Sequence, residues 1–462
     1  MMAMRIVLRD VDERRWLSFN QPQRVVSAKR VSEVVDALEE IDRAVEKEGL
    51  TAVGYIAYEA APAFDRALRA HQPTEGLPLL HFGLFDTVSV HEDLPFQGLG
   101  CGALGEVTAT QTEAEYRESV RRIRDHIAGG ETYQVNHTLR LRAPFNGDPR
   151  SLFVNLWRSQ PGAFAAYLEL DDLVICSASP ELFFQLDGEH MVSRPMKGTT
   201  IRGHDSRSDR AREEWLKNSE KNRAENAMIV DMVRNDLGRI ARVGTVEVTS
   251  SFDVERHPTV FQMTSTVEAA TAAPVSRIMA ALFPFASVTG APKVRTMELI
   301  HGLEHEPRGV YTGAIGFMAP NRQARFSVGI RTAVVDRKVG LVEYGVGSGI
   351  IWDSAADDEY RECALKARIL SHPTPDFDLL ETILWETEGG FSLLDRHLDR
   401  LAGAAEYFGR PVDREAILDD LRKVPGPQFR SSCGTSDPAP PPPLRIRLLV
   451  AADGAHRIEE SL

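Results

Sequence analysis

The sequence predicts an α+β fold built on antiparallel sheets, and three observations carry that prediction. β-Rich runs gather in groups on either side of helical stretches, without the regular strand-helix alternation that builds a doubly wound parallel sheet. Runs at 164–170, 173–177, 181–186 and 190–194 are separated by only a few residues, which leaves room for hairpins and none for crossover helices. A chain of 462 residues, 43% apolar and 26% charged, can also bury large cores. Its length suggests about two or three domains.

Taken in order, 31–49 has helical spacing and 51–58 is a short β-rich run; residues 1–110 show no chemistry. A second unit, 111–372, opens on a helix capped by Thr112 and stopped by Gly129-Gly130. Residues 133–144 alternate as a strand, and the four close runs follow. Further strands are expected at 245–256 and 260–269, then a helix at 274–282, strands at 310–319, 324–336 and 338–351, and a helix at 357–370. Residues 372–376 (HPTPD) form a turn-rich break. The remainder, 373–462, offers a strand at 378–386, an amphipathic helix at 391–408, a proline-rich connection at 424–443 and a single strand at 444–452. So short a piece buries little by itself and reads as part of a domain or a packing appendage.

The stretch 219–240 is the one around which the rest is arranged. Ile229, Val233 and Leu237 recur every fourth residue and make an apolar stripe on a helix. One turn further back the same stripe reaches Glu225. A carboxylate in line with a buried stripe is costly unless it is paired, protonated or bound to a metal. Glu225 therefore sits at the wet end of the helix, pairs with Arg223, or meets a cation from elsewhere.

Composition excludes several function classes. A net charge of −13 and a pI near 5.6 oppose nucleic-acid or anionic-membrane partners, which demand a basic face. Four scattered cysteines (Cys101, Cys176, Cys363, Cys433) have neither disulfide-framework nor zinc-ribbon spacing and suit a reducing compartment. Charge arrives at Arg5, too soon for a signal-peptide core, and no run is long enough to span a bilayer. The expectation is a cytoplasmic protein acting on small molecules.

Two motifs are decoys. His301-Gly-Leu-Glu304-His305 matches an inverted zinc-protease spacing, but Gly302 weakens the helix, Pro307 ends it, and no third ligand cluster is evident. Gly345-Val-Gly347-Ser348-Gly349 is GxGxG, not the dinucleotide pattern, although its small residues let backbone N–H groups converge on an anion such as a carboxylate. Glu359 and Glu362 share a helix face, with Lys366 one turn on, the pattern of an ordinary surface pair. Together with Glu225, however, two helices each offer a carboxylate, which is how Mg²⁺ is commonly held. Lys197 stands between Met196 and Gly198 just after Pro195; it is either merely exposed or, if desolvated, a nucleophile.

Five segments then occur in the order typical of the chorismate-utilising enzymes: Ser179-Pro-Glu-Leu-Phe183, Pro195-Met-Lys-Gly-Thr199, Asn222-Arg-Ala-Glu-Asn226 with Asp236-Leu-Gly-Arg239, Ser287-Val-Thr-Gly-Ala-Pro-Lys293, and Glu359-Tyr-Arg-Glu362. The chain resembles that family strongly over about 113–370 and weakly before it. Within the family it is most similar to the aminodeoxychorismate synthase component I branch, because Lys197 stands where anthranilate synthases usually carry alanine.

The resemblance implies antiparallel sheets packed face to face with helices outside. It implies Mg²⁺ held by Glu225 and Glu362 with Glu359 nearby, and chorismate carboxylates met by Arg331, Tyr311 and the donors of Gly347, Ser348 and Gly349. Lys366, Thr289 and Lys293 are expected as pocket or loop-positioning residues. Lys197 would attack C2 of the ring as the 4-hydroxyl leaves, Glu181 would be the general acid, and ammonia from a separate glutamine amidotransferase subunit would add at C4 and expel the lysine. Gln262 stands where many relatives carry histidine; an amide transfers no proton, so Gln262 orients the leaving oxygen or Glu181 acts alone. The tryptophan-binding signature of anthranilate synthases is not apparent. The 377–401 stretch resembles the start of a pyridoxal-phosphate lyase of the class IV aminotransferases, and the sequence ends before the region where its Schiff-base lysine would stand, so neither that cofactor nor lyase activity is expected. Other chorismate reactions, giving anthranilate, isochorismate or salicylate, and a catalytically silent chorismate-binding scaffold are the alternatives.

Overall fold

The computed structural model describes residues 4–100, 102–161, 164–371, 377–386, 389–423 and 443–461. Cys101, Cys433, the 372–376 break and the proline-rich stretch to residue 442 lie outside them. Cys176 and Cys363 are buried free thiols. No helix among the described residues is long and apolar enough to cross a membrane. The chain divides into two compact units, Met1–Thr200 with Leu216–Thr374, and Ile201–Trp215 with Pro375–Leu462.

The larger unit holds two antiparallel sheets, of eleven and ten strands among the described residues. They pack face to face: Met4, Ile6, Leu8, Phe19 and Ile175 of the first share one apolar cluster with Val53, Tyr55, Phe85 and Ile315 of the second. Helices cover both outer faces. On the first sheet Tyr116, Ile123, Phe153, Leu299 and Ile369 project from four helices into one core. On the second, Leu38 and Ile41 of the Val34–Glu48 helix join Ile229, Val233 and Leu237 of the central helix Glu220–Gly238. At about 1.5–3 kcal/mol per buried aliphatic side chain, that stripe holds the central helix in place despite the carboxylate in line with it.

Local chemistry sets the ends as expected. Thr112 and Glu115 form a reciprocal capping box on the Glu113–Ala128 helix, and the Ser219 hydroxyl caps the central helix. The structure departs from the sequence expectation where chain direction depends on distant partners. The 173–177 and 181–186 runs do not pair; the chain leaves the first sheet after Ser179 and enters the second at Leu182. Pro180, lacking an N–H, interrupts the ladder there. The 324–336 run is likewise two strands, Gln323–Val328 in the second sheet and Thr332–Asp336 in the first, with Arg331 turned into positive φ of 52° between them. The two crossings are tied together, the Ala178 amide donating to the Arg331 carbonyl at 3.0 Å and the Val328 amide to the Glu181 carbonyl at 3.1 Å. Helices Pro149–Arg158, Ser206–Asn218 and Lys293–Leu303 and strand Met196–Ile201 were not expected.

The smaller unit has a core of its own. Its antiparallel sheet runs Gly390–Phe391, Leu379–Glu386, Leu444–Val450, His456–Ser461, so the expected single last strand is in fact half of a hairpin. Helices Leu394–Phe408 and Arg414–Lys423 bury Leu398, Leu401, Ile417 and Leu421 against Ile383, Ile446 and Leu448.

Candidate active site

The first sheet crossing delivers Glu181. Its carboxyl, 3% exposed, accepts from the Met196 amide at 3.1 Å, which anchors it to the start of the strand bearing Lys197. Burial raises it from 4.5 to about 7, and the Ser287 hydroxyl, Lys197 and the Met196 amide only partly offset that. The gap is on the order of 3 kcal/mol between the two protonation states, enough to keep a proton available at neutral pH. Burial likewise lowers the Lys197 amine; Lys366 lowers it further, while Glu225, Glu181 and Glu362 pull it back up. These charges therefore lie within one another's field, and the balance leaves the Lys197 amine below its usual proton affinity. Gly198, at φ 96°, lets the lysine strand turn against Asn222, where a Cβ would stand 3.1 Å from that side chain. Asn226 donates to the Lys197 carbonyl at 3.5 Å and accepts from the Ser265 hydroxyl, so the central helix is fastened beside the lysine.

The carboxylates come from two helices, as their spacing suggested. Glu225 lies in the central helix, Glu359 and Glu362 in Ala356–Ser371. Burial lifts Glu225 to about 6; Lys197 and Lys221 act against the rise, Glu359 and Glu362 add to it. The expected Arg223 partner is absent from this balance; the guanidinium of Arg223 lies over the Phe252 ring. Glu359 is also raised, by burial and then by Glu362, while accepting from the Ser354 hydroxyl at 2.7 Å. Burial would raise Glu362 too, but its ion pair with Lys366 at 2.6 Å, helped by Lys197 and Arg331, holds it below its usual value. Among the described residues no three His, Cys, Asp or Glu side chains are gathered tightly enough to enclose a metal by themselves. Mutually repelling oxygen donors on two helices nevertheless fit a hard cation such as Mg²⁺, which takes one or two carboxylates and completes its shell with water and substrate oxygens.

Glycines in the Leu341–Ile350 strand let Tyr311, Gln134 and Lys197 approach its backbone closely. The glycines lie within a sheet strand, not in a loop. The Gly347 carbonyl accepts from Lys366 Nζ at 2.8 Å, so its backbone groups face away from the paired strand Gln134–Gly147. The facing amides agree, Asn136 donating to the Thr289 carbonyl and Thr138 to Glu304. By the same alternation Gly349 presents its N–H to this edge, where the neighbouring strand pairs only as far as Tyr344. Two donors are thus offered side by side to an anion. A Cβ on Gly349 would lie 2.9 Å from Lys197 Nζ and 2.3 Å from Gln134 Nε2. Since both atoms end flexible side chains, Gly349→Ala is expected to fold with an almost unchanged melting temperature but to lose about 10²-fold in kcat by displacing the amine; melting and steady-state rates on one preparation check this.

Gln134 was not anticipated. It is buried, and neither its oxygen nor its nitrogen has a protein partner. Tyr311 fills the face of Gly345 and is itself covered by the Arg140 guanidinium at 5.1 Å from its ring, so it shapes the wall of the site. Arg331, at the second crossing, donates to the Lys366 carbonyl at 2.9 Å and contributes its charge at Glu362.

Other expected residues serve as braces. Lys293 donates to Asp236 at 2.7 Å and to the Leu282 carbonyl, fastening its helix to the central one. The buried Thr289 hydroxyl donates to the carbonyls of Phe285 and Ala286. Ser348 turns its hydroxyl to Tyr116 at 2.7 Å. Gln262 pairs with Glu255 in the Glu247–Arg256 and Val260–Ala270 ladder. Ser265 of that strand faces the central helix, so alternation points Gln262 the other way, away from Glu225, and it shares no hydrogen bond with Glu181 or Lys197. Of Gln262 and Glu181, only Glu181 is a carboxyl able to hold a proton near neutral pH. In the zinc-like motif His301 belongs to the Lys293–Leu303 helix while His305 lies beyond its end, and Glu304 is bound to the Arg308 guanidinium at 2.7 Å.

The profile of a family described as chorismate binding enzyme matches residues 102–372. An aminodeoxychorismate synthase of Streptomyces pristinaespiralis is 44% identical over 256 residues, 55% of this chain and 35% of that protein. The aminodeoxychorismate synthase component 1 of Salmonella typhimurium is 39% identical over 267 residues, 57% of this chain and 58% of that one. The chain thus spans about a third and somewhat over half of these two relatives. The anthranilate synthase component 1 of Thermus thermophilus is 34% identical over 352 residues, 69% of this chain and 76% of that one. Among solved structures, anthranilate synthase component I from Streptococcus pneumoniae TIGR4 superposes with a TM-score of 0.68 at 24% identity, covering 80% of this chain and 92% of that chain, which shows the same fold.

Proposed function

The chain belongs to the family of chorismate-binding enzymes, and from that premise we propose that it is the synthase component of an aminodeoxychorismate synthase, replacing the 4-hydroxyl of chorismate by an amino group for p-aminobenzoate and folate synthesis. The observation that carries the proposal is the buried Lys197 amine, its proton affinity lowered by burial, within the field of the buried Glu181 carboxyl, which is raised to about 7. The neutral amine attacks C2 while Glu181 gives its proton to the departing 4-hydroxyl, which leaves as water. Ammonia adds at C4, the lysine leaves C2, and the Glu181 carboxylate takes the proton that the added ammonia sheds. Gln134 supports ammonia over water as the nucleophile, because a neutral amide takes no proton from water, whereas ammonia is nucleophilic without a base to deprotonate it. Arg331 and the Gly347 and Gly349 amides bind the substrate carboxylates, the Arg fork suiting a planar anion.

Glu225 and Glu362, with Glu359 close by, would hold Mg²⁺, which when bound supplies positive charge against the ring carboxylate. Glu225→Gln is expected to weaken Mg²⁺ binding by at least about 10-fold, read from the concentration of MgCl₂ that half-saturates the rise in melting temperature; an unchanged midpoint would remove Glu225 from the cation site.

A glutamine amidotransferase subunit is the proposed ammonia source, in keeping with the "component 1" name of the Salmonella relative. The Thermus relative favours a second reading, anthranilate synthesis, since this chain spans more of it. Incubation with chorismate, Mg²⁺ and ammonium, with products identified by mass, separates the two. Aminodeoxychorismate is expected; anthranilate fluorescence without an added lyase would overturn the choice. No consumption of chorismate, even with an amidotransferase present, would leave a binding scaffold.

A further inference from the structure

We infer that the Leu394–Phe408 helix is a positioning element for the catalytic lysine, acting through its grip on residues 201–215. The chain enters the smaller unit at Ile201, directly after the lysine strand, and leaves it at Trp215, before the helix that carries Glu225. Between those points the sequence RGHDSRSDRAREEW has almost no apolar side chains to bury, and Trp215 is exposed. Such a segment has no apolar face to order it and depends on specific polar contacts.

The Leu394–Phe408 helix supplies several of those contacts, and others close within the segment itself. Arg202, buried, forks onto Asp209 with Nε at 2.6 Å and Nη2 at 2.7 Å, and Nη2 also donates to the Tyr407 carbonyl at 2.6 Å. Its guanidinium lies over the Tyr407 ring, 4.7 Å from the centroid. The Tyr407 hydroxyl donates to the Gly203 carbonyl at 2.7 Å, and the Ser206 hydroxyl to the Gly403 carbonyl at 3.1 Å. The Gly203 amide closes the turn on Asp209 at 2.9 Å, and a Cβ there would meet the Asp209 amide at 2.2 Å. Tyr407 thus closes the cluster on three sides: ring, carbonyl and hydroxyl. A charge buried this way is stable only while its partners stay, so the segment is either held in this arrangement or released.

The catalytic consequence follows from chain connectivity. A released 201–215 segment frees the end of the strand that starts at Met196 and carries Lys197, and attack on the ring requires the amine to be held in line. Tyr407 is therefore a positioning residue, far along the chain from any group that touches substrate.

The test uses the full chain. In Tyr407→Ala, hydrogen exchange of the 201–215 amides is expected to quicken by about 10-fold or more, with kcat for chorismate reduced at least about 5-fold and KM changed less than 2-fold. Tyr407→Phe, which keeps the ring over the guanidinium and loses the hydroxyl, should fall between, and it carries the test if the alanine variant does not fold. Leu384→Ser, on the exposed face of the small sheet, should change neither quantity. Unchanged exchange in 201–215, or faster exchange with undiminished kcat, overturns the inference. The turnover arm rests on the proposed reaction: a wild-type chain that consumes no chorismate sinks that reading, while the exchange arm judges the hold on 201–215 by itself.

Discussion

Lys197→Met and Lys197→Arg are both expected to lower the rate of aminated product formation by roughly 10²–10⁴-fold. The pair separates two roles that one alanine change would merge. The amine is a nucleophile in the proposed reaction, but it is also a positive charge that lowers the proton affinity of Glu225 and Glu181. Methionine keeps the length and loses both properties. Arginine keeps the charge, yet its guanidinium stays protonated at any working pH and cannot attack. If charge alone mattered, arginine would restore turnover; if the covalent step matters, neither does. Near-normal turnover in either variant would remove the lysine adduct from the mechanism. Lys197→Ala should behave as methionine does, with a loss of amine transfer.

Glu181→Gln is expected to cost a similar factor, roughly 10²–10⁴-fold in kcat, because a proton donor is lost while size and most contacts remain. Its pH profile is the sharper signature. Donation requires the protonated carboxyl, so the wild-type rate should fall as pH rises through about 7, where burial places Glu181. Attack requires the neutral amine, so protonation of Lys197 works against the reaction. The glutamine variant should lose the alkaline fall near pH 7 that Glu181 causes in the wild type. A variant whose alkaline limb is unchanged would assign that limb to another group.

Much of the site was legible from local chemistry. Period-four apolar spacing placed the central helix, and the misfit of Glu225 on it marked a place needing a positive partner. Glu359, Glu362 and Lys366 lie on the expected helix, and Lys366 indeed pairs with Glu362. Gln134 escaped notice because its strand reads as ordinary alternation. The signal was there: Gln134, Asn136, Thr138 and Arg140 alternate with Val135, His137, Leu139 and Leu141, and every one of them is buried. A polar set on one face of a fully buried strand must face something polar, and only burial reveals the demand. Which way Gln262 points was not legible for the converse reason, since sequence position does not say which face of a strand meets the helix.

By itself the sequence determined the fold class and the ends of the capped helices, because hydrophobic period, capping and turn chemistry act between neighbours in the chain, while the family and most of the candidate site residues followed from the resemblance of its ordered motifs. Only the tertiary structure decided that the runs around Pro180 and Arg331 divide between two sheets, that Lys293 and Thr289 brace the site while Glu181 and Lys197 share it, and that residues 201–215 belong with the C-terminal unit. Which sheet takes a strand, and which segment a helix holds, depend on partners more than a hundred residues away, and no local pattern records them.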